Sequence, residues 1–197
     1  MRRLLPCIIA LAALASLARP ELVVSLSAHA TAVVVRDVVG RSLTLLTPPK
    51  GHVDLLFFIN RECPISNRYA PEINRICGDY RAKSVGCVLV YPDTSVTPEQ
   101  VAQHGRDYAY GGGISAVIDR DFALTKAVDA TVTPQAFVYT ASGAAYHGRI
   151  DDLYVDVGRA RRAASTHDLR SALDAVLTGR SVRVPVTEPV GCSIERR

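Results

Sequence analysis

The chain has 197 residues, 48% of them hydrophobic and 21% charged. That composition fits one globular domain with an ordinary core and excludes long disordered spans. A formal net charge of +4 is too small to argue for a nucleic-acid partner.

Residues 1–30 read as a signal peptide or N-terminal anchor. Arg2 and Arg3 form a positive n-region, and Leu4 to Leu17 is an apolar stretch of signal-peptide length, too short for a full membrane span. Small residues offer cleavage sites after Ala18, Ala30 or Ala32. Arg19 and Glu21 interrupt the apolar run and favour the first, and an uncleaved membrane tether is the alternative. The expected location is therefore exported, periplasmic or secreted. Of the five cysteines, Cys7 belongs to the leader. Cys63, Cys77, Cys87 and Cys192 remain in a compartment that permits disulfides, where four cysteines allow three full pairings.

Residues 31–180 read as one domain and 181–197 as an extended tail carrying Cys192. Residues 32–39 and 42–46 predict a hairpin turned at Gly40-Arg41. The apolar run 53–60 predicts a buried central strand. A helix follows from Pro64 to about Lys83, with Pro64 at its first position and Pro71 inside it. Residues 85–91 predict a second buried strand. Thr97 and Pro98 open the next helix, residues 114–119 form a third strand, and 122–128 a short helix. Thr133-Pro134 leads into strands at 135–140 and 144–150, and Asp168 is expected to cap a last helix to Leu177. The order implies an α/β fold: a mixed sheet, parallel at its centre with antiparallel edges, flanked by helices.

Cys63 stands where the central strand passes into its helix. At such an N-cap the unpaired helix N–H groups and the positive dipole end favour a thiolate. Arg61 and Arg68 add to that effect and Glu62 opposes it. Cys63 is thus the candidate nucleophile, against the plainer reading of a small buried hydrophobe. Cys77 is too far along the same helix to resolve it, about 21 Å away. Cys87 is expected to be a packed core residue. Two free buried thiols are the expected state of Cys77 and Cys87, with a bridge between them as the alternative. Cys192 is the candidate to fold back on Cys63 as resolving or capping cysteine; a free or intermolecular thiol is the other reading. Arg149, Asp151, Asp152 and Tyr154 read as a salt-bridged loop rather than a binding surface. The histidines lack metal-ligand spacing, so no metal and no cofactor are expected.

These features carry a family resemblance. The strand before Cys63, Cys63 at a helix start, Pro71 eight residues on and Thr133-Pro134 before the closing hairpin resemble the thioredoxin fold. The strings Cys-Pro-Ile-Ser-Asn-Arg-Tyr-Ala-Pro, Val-Thr-Pro-Gln-Ala-Phe-Val and Gly-Arg-Ile-Asp-Asp-Leu-Tyr are similar to secreted redoxin-like proteins, grouped with alkyl hydroperoxide reductases and thiol-disulfide oxidoreductases. The resemblance implies a thioredoxin-like mixed sheet with an N-terminal β-hairpin and an extended C-terminal tail. It also implies a cis bond at Thr133-Pro134, facing Cys63, with the Thr133 backbone free to pair with an extended peptide substrate.

The departures bear on activity. Ser66 replaces the second cysteine of the family's Cys-x-x-Cys motif; it can donate a hydrogen bond to the Cys63 thiolate but cannot resolve a mixed disulfide. Phe57 replaces the buried carboxylate that serves thioredoxins as proton acceptor. Leu56 and Asn60 stand where peroxiredoxins need Pro and Thr or Ser. The expected site is Cys63, Ser66 and Cys192 for catalysis, with Thr133, Pro134 and Pro64 holding substrate. The expected function is thiol-disulfide exchange or thiol-based antioxidant chemistry on a disulfide-containing protein or peroxide, with an external thiol as reductant. The rivals are a catalytically silent peptide-binding module and a copper-handling protein.

Overall fold

Three strands are apolar along both alternations, so each needs cover on two faces. The structure, a computed structural model, describes residues 31–195. The leader with Cys7, and its reading as signal or anchor, lie outside the described residues.

The elements in chain order are β1 (Val33–Arg36), β2 (Ser42–Leu45), β3 (Val53–Phe58), α1 (Pro64–Arg81), β4 (Val85–Tyr91), α2 (Pro98–Asp107) and β5 (Ile114–Ile118). They continue as α3 (Ala123–Val128), β6 (Val132–Thr133), β7 (Gln135–Thr140), β8 (Gly143–Gly148), β9 (Tyr154–Asp156), β10 (Arg159–Ala160), α4 (Asp168–Leu177) and β11 (Cys192–Ser193). The main sheet runs β5-β4-β3-β7-β8. It is parallel from β3 through β5, while β7 and β8 add antiparallel pairings.

Strand parity divides the core. Val53, Leu55 and Phe57 of β3, with Val85, Cys87, Leu89 and Tyr91 of β4, pack with Tyr69, Ile73, Ile76, Cys77 and Tyr80 of α1 and Leu169 and Leu173 of α4. Leu56, Phe58, Val88, Val90 and Phe137 face the other way, onto Leu45, Leu46 and Leu124 of the hairpin and α3. The helix starts are legible where a cap is present: Thr97 and Gln100 close a reciprocal capping box on α2. Asp168 departs from expectation. His167 takes the N-cap position, and the Asp168 carboxylate is drawn instead to the Arg149 guanidinium (2.8 Å) and the Thr166 hydroxyl (2.8 Å).

The tail does not hang free. Residues 185–187 run beside β8: the His147 amide donates to the Pro185 carbonyl (2.9 Å) and the Thr187 amide to the His147 carbonyl (3.1 Å). The Thr187 hydroxyl bonds Tyr146 (2.6 Å) and accepts the Arg149 amide (3.1 Å). Gly148, at φ +141°, gives Thr187 room that a Cβ would fill. Farther on, β11 pairs antiparallel with β6. Among the described residues no helix is long and apolar enough to cross a membrane.

Candidate active site

Cys63 is the N-cap of α1, in extended backbone geometry (φ −83°, ψ 113°), with Pro64 opening the first turn. The Asn67 amide closes that turn on the Cys63 carbonyl (3.0 Å). Asn67 also fixes the preceding loop, its side-chain amide donating to the Arg61 carbonyl (2.9 Å) while its oxygen meets His104 Nε2 (2.9 Å). The first turn of α1 carries no acidic residue, so no like charge in that turn opposes a thiolate. Glu62, just before it, is paired with Arg61 (2.7 Å).

The Thr133-Pro134 peptide bond is cis, and the Thr133 carbonyl oxygen lies 3.2 Å from Cys63 Sγ. Cys63 is bonded to Cys192 as a disulfide with a Cα–Cα distance of 6.1 Å. In the β11–β6 register Cys192 stands opposite Thr133, and the Ile194 amide donates to the Thr131 carbonyl (2.9 Å). The Thr133 hydroxyl donates to the Cys192 carbonyl (3.4 Å). Gly191 passes so close that a Cβ there would collide with the Thr133 carbonyl and approach the Pro134 nitrogen.

Several sequence expectations are revised by this geometry. The Thr133 backbone, expected to be free for a peptide, is occupied by the protein's own tail. Thr133 and Pro134 are accordingly buried, while Pro64 stays exposed. Ser66 is wholly buried and its hydroxyl oxygen accepts the Asn60 amide (3.4 Å), which leaves its O–H as a donor. Cys77 and Cys87 are not free thiols: they form a second disulfide, Cα–Cα 5.9 Å, because α1 lays Cys77 over the face of β4 that carries Cys87. The loop after β8 is salt-bridged, with Arg149 on Asp168 (2.8 Å) and Arg161 on Asp152 (3.3 Å).

Three features escaped the sequence reading. Tyr69 on α1 donates to the Asp151 carboxylate (2.6 Å), and burial followed by that carboxylate pushes its hydroxyl pKa well above normal. Tyr69, Pro134, Arg149, Ile150, Asp151 and Tyr154 line a small pocket together with Val190 of the tail. Beside the tail a cleft of about 420 Å³ opens between Asn60, Pro92, Asp93, Ser95, Phe122 and Ile194. Burial by itself would raise the Asp93 carboxyl, but the Ser95 hydroxyl and amide, the Val96 amide and Arg61 outweigh it and hold Asp93 below the usual carboxylate range. Among the described residues no three His, Cys, Asp or Glu side chains are grouped to hold a metal ion.

This arrangement of a helix-capping cysteine opposite a cis-proline on a five-stranded mixed sheet decides the architecture. The fold is thioredoxin-like. A hypothetical protein from Sinorhizobium meliloti shares the thioredoxin-like fold at a TM-score of 0.74 and 27% identity, over 86% of this chain and 93% of that one. An uncharacterised conserved protein from Geobacillus kaustophilus matches at 0.74 and 25%, over 86% and 90%. A secreted Mycobacterium tuberculosis disulfide oxidoreductase, homologous to DsbE of E. coli, matches at 0.51 and 16%, over 75% and 95%. No family model and no curated protein matches the chain.

Proposed function

We propose that the protein is an exported thiol-disulfide oxidoreductase in which Cys63 is the nucleophile and Cys192 the resolving cysteine. The observation that carries the reading is the pairing of a helix-capping Cys63 with a tail cysteine against the Thr133-Pro134 turn. A thiolate at a helix N-terminus is both the better nucleophile near neutral pH and the better leaving group. Export is supported by the apolar leader, by two disulfides in one small domain, and by the secreted relative of the same fold.

In the reductive direction the Cys63 thiolate attacks one sulfur of a substrate disulfide. The substrate S–S bond breaks and its electron pair leaves on the second sulfur, which takes up a proton. The Cys192 thiolate then attacks Cys63 Sγ and releases the first substrate sulfur as a thiol. Two electrons and two protons have passed to the substrate, and Cys63–Cys192 is oxidised. An external thiol reductant attacks the half-buried Cys192 and expels the Cys63 thiolate, and a second reductant thiol then attacks the reductant's sulfur in that mixed disulfide, freeing Cys192 and leaving as the oxidised reductant disulfide; Cys63 itself is only 2% exposed in the disulfide. The oxidative direction is the same sequence reversed. Reduction of insulin disulfides by the wild-type protein tests the reading: the rate should fall to background in Cys63→Ser, and an equal rate in that variant would sink it.

A further inference from the structure

The tail is held in two independent places. Residues 185–187 bond the backbone of β8 and the Thr187 hydroxyl network, with no sulfur involved. Cys192 and Ser193 pair with Thr133 and Val132 as a two-residue strand, with Val190 packed against the main core cluster and Ile194 against the second. Reduction of Cys63–Cys192 removes only the covalent link of the second place. The first keeps the tail close at hand, so the segment beyond it is a tethered competitor at high effective concentration.

We propose that residues 188–195 are a built-in occupant of the peptide groove, and that substrate peptides enter by exchanging with this strand. The inference rests on the exchange chemistry assigned to Cys63. It names the substrate class: an extended segment whose cysteine follows a glycine. The wall that Gly191 skirts is backbone, the Thr133 carbonyl and the Pro134 nitrogen, and backbone cannot swing aside as a side-chain end can. A peptide that brings its cysteine to Cys63 in the register of Cys192 meets the same wall one residue earlier. Apolar residues two before and two after that cysteine take the core contacts of Val190 and Ile194. Because tail and substrate need the same edge of β6, the mixed disulfide is resolved as the tail returns, and resolution and product release become one step.

The test uses the full-length Cys192→Ser protein, which retains the tail but stops after capture. Probes are the peptides Val-Gly-Cys-Ser-Ile and Val-Val-Cys-Ser-Ile, each capped on sulfur with thionitrobenzoate, and Ellman's reagent as a small disulfide without a peptide. Cys63→Ser supplies the background, and attack by glutathione normalises the peptides' own reactivity. The glycine peptide should release chromophore roughly tenfold faster than the valine peptide, the ratio expected for one overpacked backbone contact. Adding Gly191→Val should expel the tail and speed capture of the glycine peptide several-fold, and the reaction with Ellman's reagent should speed up with it, because the same tail covers Cys63. Equal rates with the two peptides overturn the selection, and no acceleration from Gly191→Val overturns the occupancy. If Gly191→Val does not fold, hydrogen exchange at the Ile194 amide in Cys192→Ser decides: it should speed up on capture of the glycine peptide, and unchanged protection overturns the exchange. Failure of Ellman's reagent itself to react at Cys63 removes the exchange chemistry, a different failure from these.

Discussion

Cys192 stands directly opposite Thr133, so the protein's own tail cysteine holds the place where an extended peptide would meet the cis-proline turn. The pairing gives Cys63 a sulfur partner that Ser66 cannot be.

The two candidate cysteines should fail in different ways. In Cys63→Ser, capture of a substrate disulfide disappears together with turnover. In Cys192→Ser, capture survives and the mixed disulfide accumulates, while multiple turnover drops because no internal thiol releases it. Non-reducing mass spectrometry of a stopped reaction checks this. A Cys192→Ser protein that turns over at the wild-type rate would exclude Cys192 as resolver.

The two disulfides should separate in both reactivity and stability. Cys77 and Cys87 are each 5% exposed inside the main core, whereas Cys192 is half-buried at the surface. Mild dithiothreitol followed by alkylation should therefore label Cys63 and Cys192 well before Cys77 and Cys87. The inner bridge closes a short loop, for which chain entropy gives about 3 kcal/mol, or a Tm lower by roughly 6–12 °C on removal. Cys77→Ala with Cys87→Ala should show that loss in calorimetry while leaving insulin reduction intact.

How much of this was legible follows from burial. Strands β3, β4 and β7 are covered on both faces, so their composition announces them. The four short strands β6, β9, β10 and β11 have two or three residues each, too few to show a period. Cys63 was readable because an apolar strand, a cysteine and a proline mark one junction. The Cys77–Cys87 bridge carried a signal that parity holds: Cys87 alternates in step with Val85, Leu89 and Tyr91, and Cys77 shares a helical face with Ile73 and Tyr80. Gly191 and Thr187 gave no such signal. Their roles come from contacts across dozens of residues, which no local pattern encodes.

Thr187 should prove to be the tail's tether. Thr187→Val keeps the shape but strips the hydroxyl from the Tyr146 hydroxyl and the Arg149 amide. Tyr146 retains the Arg149 carbonyl (2.6 Å), so the expected loss is modest, about 1–2 kcal/mol. The sharper readout is kinetic. After full reduction, re-formation of Cys63–Cys192 under glutathione disulfide should slow, because the loosened tail presents Cys192 at lower effective concentration. An unchanged closure rate would place the tether elsewhere.

His104 should give the protein an acid limit well above that of its carboxylates. Burial lowers its pKa from the usual 6.5, with Asp107 opposing and Arg61 reinforcing the shift. The network assigns the neutral tautomer: Nε2–H donates to the Asn67 oxygen, and Nδ1 accepts from the Tyr91 hydroxyl (2.9 Å). A second proton would put a charge among Tyr91, Tyr108 and Tyr110 and turn the Tyr91 hydroxyl around. Because the folded pKa is depressed, the unfolded chain takes up this proton first. Stability is therefore whole above pH 6.5 and is lost as pH falls from there through the folded value. Asp37, Asp93, Asp152 and Asp168 are held below the ordinary 3.8, so their contributions are withdrawn only at lower pH. Between the two ranges the decline on acidification belongs to His104, while Asp54, whose carboxyl burial raises above 3.8, acts in the opposite sense at the lower end. Thermal melts should show Tm declining from pH 6.5 downward in the wild type and losing that decline in His104→Gln, whose amide can still donate to Asn67. A slope that persists in the variant would assign it to another group. Since Asn67 carries this network to the Arg61 carbonyl beside Cys63, acidification should loosen the start of α1 along with the core.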